Sequence, residues 1–299
     1  MGKLLRVALG TGVLFGAGGL GLASYILRIP RQSLEEALQW QRDHYDISWL
    51  DNTPQEPYTV SSYDGYELHA VVLRPAEESN RYVICSHGYT DNRWGSLKYA
   101  RLYLDRGWNC ILWDLRGHGE NLPSLCTYGR NEGHDLAELV KDARNRFGSD
   151  ITLGLHGESL GAATTVSSLR WEPKADFAVA DCPFADIVNV LESRSPAPVI
   201  QWASLGAKLR CGISLNEMRP IDALKHSWVP LLLFHGTSDS FISPDNSRRI
   251  YDAAQGVKEL HLVEGAEHAQ SVFTAPEEYV ETLFAFIDRV TASVPGSGS

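Results

Sequence analysis

From Tyr58 onward the hydrophobic positions fall into two alternating kinds of segment. Short apolar runs recur at Glu67–Pro75, Tyr82–Ser86, Cys110–Asp114, Ile151–His156, Phe177–Ala180, Pro230–Phe234 and Glu259–Val263. Runs this short, bounded by Gly, Pro or Asp, read as strands. Between them Ser96–Arg106, Glu132–Phe147 and Pro276–Val290 carry helical spacing, with Leu136, Leu139 and Val140 on one face of the second. Continuous apolar strands separated by helices predict an α/β fold, a mostly parallel sheet covered on both faces. Such sheets bind ligands at the carboxyl ends of their strands.

Two stretches depart from this alternation. Residues 183–228 are too long for a simple connection and predict a lid or cap inserted between two strands. Val199, Trp202 and Leu209 fall near one face of a helix there, and Trp202 is the candidate substrate-binding residue of the lid. At the other departure, residues 7–27 carry no charge, with Lys3 and Arg6 before them and Arg28 and Arg31 after. A stretch of about 20 uncharged, mostly apolar residues predicts a membrane-spanning helix. A cleaved signal peptide is the competing reading, with Gly21 and Ala23 as its small-residue site. The flanking basic residues balance, so the side of the membrane is not assigned. Gly12 and Gly16 form a G-x-x-x-G step within the segment.

The expected organisation is a membrane anchor with flanks at 1–31, a polar stalk at 32–57, an α/β domain at 58–292 and a flexible tail at 293–299. This makes the chain a single-pass membrane protein. At 299 residues with 43% hydrophobic composition, it can bury a large core without staples. The formal charge of −10 and the absence of a basic patch exclude nucleic acid as an expected partner. Cys85, Cys110, Cys126, Cys182 and Cys211 are odd in number and form no C-x-x-C pair, so neither a disulfide framework nor a metal site is expected. No cofactor is expected either.

The chemistry lies at the strand ends. Gly157-Glu158-Ser159-Leu160-Gly161 is a G-x-S-x-G between the strand ending at His156 and a helical Ala162–Leu169. In that context the motif is a nucleophile elbow, with glycines where the turn brings backbones close and the serine held out at the sheet edge. A serine hydroxyl needs a base, and the base needs an orienting acid. His268, in Glu264-Gly-Ala-Glu-His268, follows the last strand, and Asp239, in His235-Gly-Thr-Ser-Asp239, follows the strand before it. The order Ser159, Asp239, His268 is that of an α/β-hydrolase triad. Asp181 also ends a strand and is the competing acid. His87, His118, His156 and His235 are read as structural. The oxyanion donors expected are the Leu160 amide, next to the nucleophile, and the Tyr89 amide, in the loop after Ser86-His-Gly-Tyr-Thr90.

With these motifs together, the chain resembles the α/β-hydrolases of the lysophospholipase, monoacylglycerol lipase and serine-aminopeptidase-like group, and within it the membrane-anchored bacterial type. The matching residues are His87–Thr90, Asp114-Leu-Arg-Gly-His-Gly119, Gly157–Gly161, His235–Asp239 and Gly265–His268, over roughly Tyr58 to Val290. The resemblance implies a serine hydrolase. Glu158 stands where many lipases carry histidine, and Glu120-Asn121 where many relatives carry serine. Both departures point away from a true lipase. The expected activity is carboxylesterase-like, cleaving small or medium acyl esters through an acyl-enzyme. A peptidase or amidase on the same triad is the alternative, and a noncatalytic binding protein is a third that the complete triad opposes. No recognisable propeller precedes the hydrolase region, which argues against a prolyl-oligopeptidase arrangement.

Overall fold

A computed structural model of the chain describes residues 18–292. Eight strands form one sheet: β1 Gln55–Ser61, β2 Glu67–Leu73, β3 Arg81–Ser86, β4 Asn109–Trp113, β5 Thr152–Glu158, β6 Phe177–Asp181, β7 Leu231–Gly236 and β8 Lys258–Val263. Their order is β1-β2-β4-β3-β5-β6-β7-β8. β1–β2 and β2–β4 pair antiparallel, and every pair from β4 to β8 is parallel. This is the mostly parallel α/β sheet expected from the alternating apolar runs, in the α/β-hydrolase fold that the motifs and the resemblance implied. β4 and β6 are buried along their whole length, which is why they read as continuous apolar runs. β1 is an edge strand, almost wholly exposed, and its polar sequence gives no such signal.

Each face of the sheet is covered by its own core. One face carries Ile84, Ile111, Leu155 and Ala180 against the Arg130–Phe147 and Leu160–Ser168 helices, through Leu136, Leu139, Ala163 and Val166. The other carries Val83, Cys85, Leu112 and Phe234 against Tyr99, Tyr103, Tyr279 and Leu283. Residues 32–57, expected as a stalk, hold the Leu34–His44 helix, and Ala37, Ile47 and Leu50 belong to this second core.

The reading of 7–27 as a transmembrane helix, and with it the single-pass membrane placement and the membrane as partner, is overturned. Residues 7–17, with Gly12 and Gly16, lie outside the described residues. Residues 18–26 are helical and dock on the domain, where Ala23 and Leu27 are fully buried and Ile26 and Ile29 nearly so. Cys126 N–H donates to Leu27 O at 2.9 Å, and Tyr128 Oη donates to Ile26 O at 2.6 Å. The apolar side chains therefore meet apolar surroundings within the protein itself. Among the described residues no helix is long and apolar enough to cross a membrane.

The partner of this N-terminal helix is the insertion between β6 and β7. It contains the Ile187–Glu192 and Ala197–Cys211 helices and two 3₁₀ turns. In the longer helix the buried residues are Ile200, Ala203, Ser204, Gly206 and Ala207, whereas Val199, Leu205 and Leu209 are exposed. The buried stripe thus differs from the Val199–Trp202–Leu209 face expected from spacing. Small residues line it because backbones touch there: a Cβ on Gly206 would lie 2.0 Å from Gly19 O. The Trp202 indole lies against Gly18 and Gly19, where a Cβ on Gly18 would fall 2.3 Å from its Cη2.

Candidate active site

The elbow is built from β5 and the helix that follows it. Gly157 and Gly161 have no room for side chains, since a Cβ at either would lie 2.1 or 2.0 Å from a backbone oxygen, Gly161 O and Ser86 O respectively. Ser159 sits at φ 52°, a conformation unfavourable for a residue with a side chain. It is held there by backbone bonds, Ser159 N–H to Asp181 O and Ala163 N–H to Ser159 O, both 2.9 Å. The strain holds the serine at the turn, as it does where function imposes an uncommon backbone.

Three loops at the carboxyl ends of β5, β7 and β8 bring the predicted triad residues together. His268 Nε2 lies 2.9 Å from Ser159 Oγ, and His268 Nδ1 lies 2.7 Å from Asp239 Oδ2. Asp239 Oδ1 accepts the Phe241 and Ile242 N–H groups, each at 2.8 Å. Burial alone would raise the Asp239 carboxyl. Hydrogen bonds from His235 and His268 and the Ile242 amide outweigh it and hold the group well below the usual carboxylate range. Asp181, the competing acid, is fully buried and has other partners, Tyr99 Oη at 3.0 Å and Ser271 Oγ at 3.2 Å.

The loop after β3 is fixed by two buried histidines. His87 Nε2 accepts Leu115 N–H at 3.0 Å, so a neutral ring carries its proton on Nδ1 and donates to Gly88 O at 2.7 Å. Burial, with His118 nearby, pushes the His87 ring down to about 3, so the neutral form holds at ordinary pH. In a trans peptide the carbonyl and the following N–H point in opposite directions. Holding Gly88 O therefore aims the Tyr89 N–H the other way. His118 Nε2 holds Tyr89 O at 2.8 Å, and the Tyr89 hydroxyl donates to Arg28 O in the N-terminal segment. Leu160 is the first residue of its helix, so its N–H has no intrahelical acceptor.

Both sequence departures have structural partners. Glu158 pairs with Lys98, whose side chain is mostly buried and also donates to Ala269 O at 3.0 Å. Tyr99 Oη lies 2.8 Å from Glu158 Oε2. Glu120 pairs with Arg93 at 2.6 Å, and Asn121 joins His69 N–H at 2.9 Å to Asp114 O at 2.6 Å. Lys98 ties the elbow to the His268 loop and Tyr99 ties it to Asp181, and nothing in their sequence pattern reports it. His156 lies between the Tyr103 and Tyr279 hydroxyls, and His235 between Ser247 Oγ and Ile242 O. All five cysteines are free. Cys182 Sγ, the Asp239 carboxylate and a His268 ring nitrogen lie within 4.8 Å of one another. Among the described residues they are the group that offers ligand atoms for a metal ion, although Asp239 and His268 already bond to each other.

An eight-stranded, mostly parallel sheet with this elbow at its centre defines a serine hydrolase of the α/β fold. The model of the prolyl oligopeptidase family matches residues 96–293. The uncharacterized protein YqkD of Bacillus subtilis (strain 168) is 30% identical over 98% of this chain and 97% of its own. The chain belongs to the prolyl oligopeptidase family. That match lies on the hydrolase region. Among solved structures, the Pyrococcus furiosus esterase Pf2001 superposes with TM-score 0.66 at 20% identity, over 88% of this chain and 96% of its own. A puromycin hydrolase superposes with TM-score 0.63 at 18% identity, over 80% of this chain and 40% of its own.

Proposed function

We propose that the chain hydrolyses carboxylic esters of small or medium acyl groups through an acyl-enzyme on Ser159. The observation that carries the reading is the continuous hydrogen-bonded chain Ser159–His268–Asp239. Ser159 Oγ attacks the ester carbonyl carbon as its proton passes to His268 Nε2, and the resulting imidazolium is stabilised by the Asp239 carboxylate. The Tyr89 and Leu160 amides bind the oxyanion. Collapse expels the alkoxide, which takes the proton from His268. Water then attacks the acyl-enzyme by the same route in reverse, releasing the acid and restoring Ser159. No step calls on a cofactor.

Apolar rings stand behind the proposed oxyanion loop: Tyr89 stacks on Tyr128 at 6.1 Å, and Tyr128 packs edge-on against buried Phe184. The resemblance to an esterase supports the ester reading. The family favours a second reading, cleavage of peptide or amide bonds. The two separate on p-nitrophenyl acyl esters from acetyl to decanoyl set beside aminoacyl p-nitroanilides. Ester turnover that peaks at short or medium chains, with anilides slower by orders of magnitude, is the expected result. Comparable or faster anilide turnover overturns the ester reading in favour of the peptidase.

A further inference from the structure

We propose that Arg194 and Phe241 form a leaving-group subsite that selects esters whose alcohol part carries a carboxylate or phosphate. The inference rests on the ester-hydrolase reading and adds the substrate's charge and where it binds.

The argument begins with Phe241. Its N–H donates to Asp239 Oδ1, so its backbone is fixed by the same carboxylate that orients His268. The ring lies 5.0 Å from the His268 ring, tilted by 45°, and is 50% exposed. A half-exposed phenyl ring beside the base is an aromatic platform next to the reacting atoms. His268 Nε2 faces Ser159 Oγ and must hand its proton to the departing oxygen. A group flanking His268 therefore meets the leaving group, while the acyl carbonyl faces the Tyr89 loop.

Arg194 extends this platform. It is exposed, follows the Ile187–Glu192 helix, and comes from the insertion, a different part of the chain. Its guanidinium carbon stands 4.0 Å from the Phe241 ring centroid, and its Nη2 donates to Phe241 O at 2.9 Å. A long, flexible side chain is thus held at two points on the residue next to the base. Among the described residues it has no carboxylate partner, in a chain that carries 37 acidic residues against 27 basic ones. Its remaining N–H groups have no protein acceptor there. A guanidinium fork matches carboxylate and phosphate oxygens two at a time. A chain of net charge −10 repels anions in general, so a cation fixed beside the base is what admits an anionic alcohol part.

The test uses the full chain and three butyryl esters: 4-(butyryloxy)benzoate, its neutral methyl ester, and 4-(butyryloxy)phenyl phosphate. The methyl ester keeps the leaving group electron-poor while removing the charge. The expected kcat/KM favours at least one anionic ester over the neutral one about fivefold, mainly through KM. The two anions compared with each other tell whether carboxylate or phosphate is the better fit. Arg194→Gln should bring that ratio to about one, Arg194→Lys should keep part of it, and added salt should compress it in the wild type. Turnover of all three esters with a ratio that Arg194→Gln leaves unchanged overturns the subsite while the ester reading stands. No turnover of any of them, with anilides cleaved, overturns the ester reading and the subsite with it.

Discussion

Gly206 and Gly19 meet backbone to backbone, so that a Cβ added at Gly206 would fall 2.0 Å from the Gly19 carbonyl oxygen. This contact locks the residue 18–26 helix to the insertion helix, and two tyrosine hydroxyls, of Tyr89 and Tyr128, tie the same segment to the site. The amino-terminal segment is therefore part of the wall around the catalytic face.

Gly206→Ala gives this docking a test of sign. Helix propensity alone makes alanine more stable than glycine inside a helix by about 1 kcal/mol. Backbone contact makes it less stable, since overpacking costs about 1–3 kcal/mol. The docked arrangement predicts a lower Tm, by roughly 2–4 °C per kcal/mol. A Tm that rises on Gly206→Ala contradicts it.

Asp114 anchors the Asp114–Gly119 turn. Its carboxylate accepts Arg93 N–H and Nε at 2.9 and 3.2 Å and Glu120 N–H at 3.0 Å, and pairs with Arg93 Nη2 at 2.5 Å. Both members of the pair are buried. Asp114→Ala leaves the Arg93 charge beside only the half-exposed Glu120, and the expected loss is about 3–5 kcal/mol by urea unfolding. A loss below about 1 kcal/mol would mean that Glu120 alone compensates Arg93.

Asp91 supplies a pH dependence of known sign. Burial, with Glu158 nearby, pushes its carboxyl up to about 6, against the Asn92 amide that lowers it. A folded-state value above the unfolded one means that the native protein binds the extra proton, so this group makes stability fall as pH rises from about 4 to about 6. Above that window the charged carboxylate costs on the order of 3 kcal/mol. Asp91→Asn should therefore raise Tm at pH 8 and change it little at pH 4. An equal shift at both pH values excludes titration of Asp91 as the cause.

Two carboxylates end adjacent strands, and only one reaches the base. Asp239→Asn should lower kcat by about four orders of magnitude, because the imidazole loses the group that fixes its tautomer and stabilises its charge. Asp181→Asn should act mainly on Tm, through Tyr99 and Ser271. The reverse pattern of kcat effects would assign the acid to Asp181.

The sheet and the triad were legible because their signals are local. Each of Ser159, Asp239 and His268 follows a short apolar strand, and the glycines of the elbow report a turn with no room for side chains. The amino-terminal segment was misread because an uncharged, glycine-rich stretch has the same composition whether it enters a bilayer or packs on its own protein. Hydropathy measures the preference of Leu27 and Ala23 for apolar surroundings and does not say whose surroundings they are. β1 carries no apolar run of its own because an exposed edge strand has no buried face to impose alternation. The supporting contacts of Lys98, Tyr99 and Phe241 join residues far apart in the chain, and no spacing rule reaches them.

The reactivity of Ser159 tests the account most directly. A fluorophosphonate should label the wild-type chain once, at Ser159 by peptide mapping, with hydrolytic activity lost in proportion to labelling. A folded Ser159→Ala variant should show neither labelling nor turnover. Labelling that persists in Ser159→Ala, or wild-type hydrolysis that survives complete labelling of Ser159, would contradict a nucleophile at the elbow.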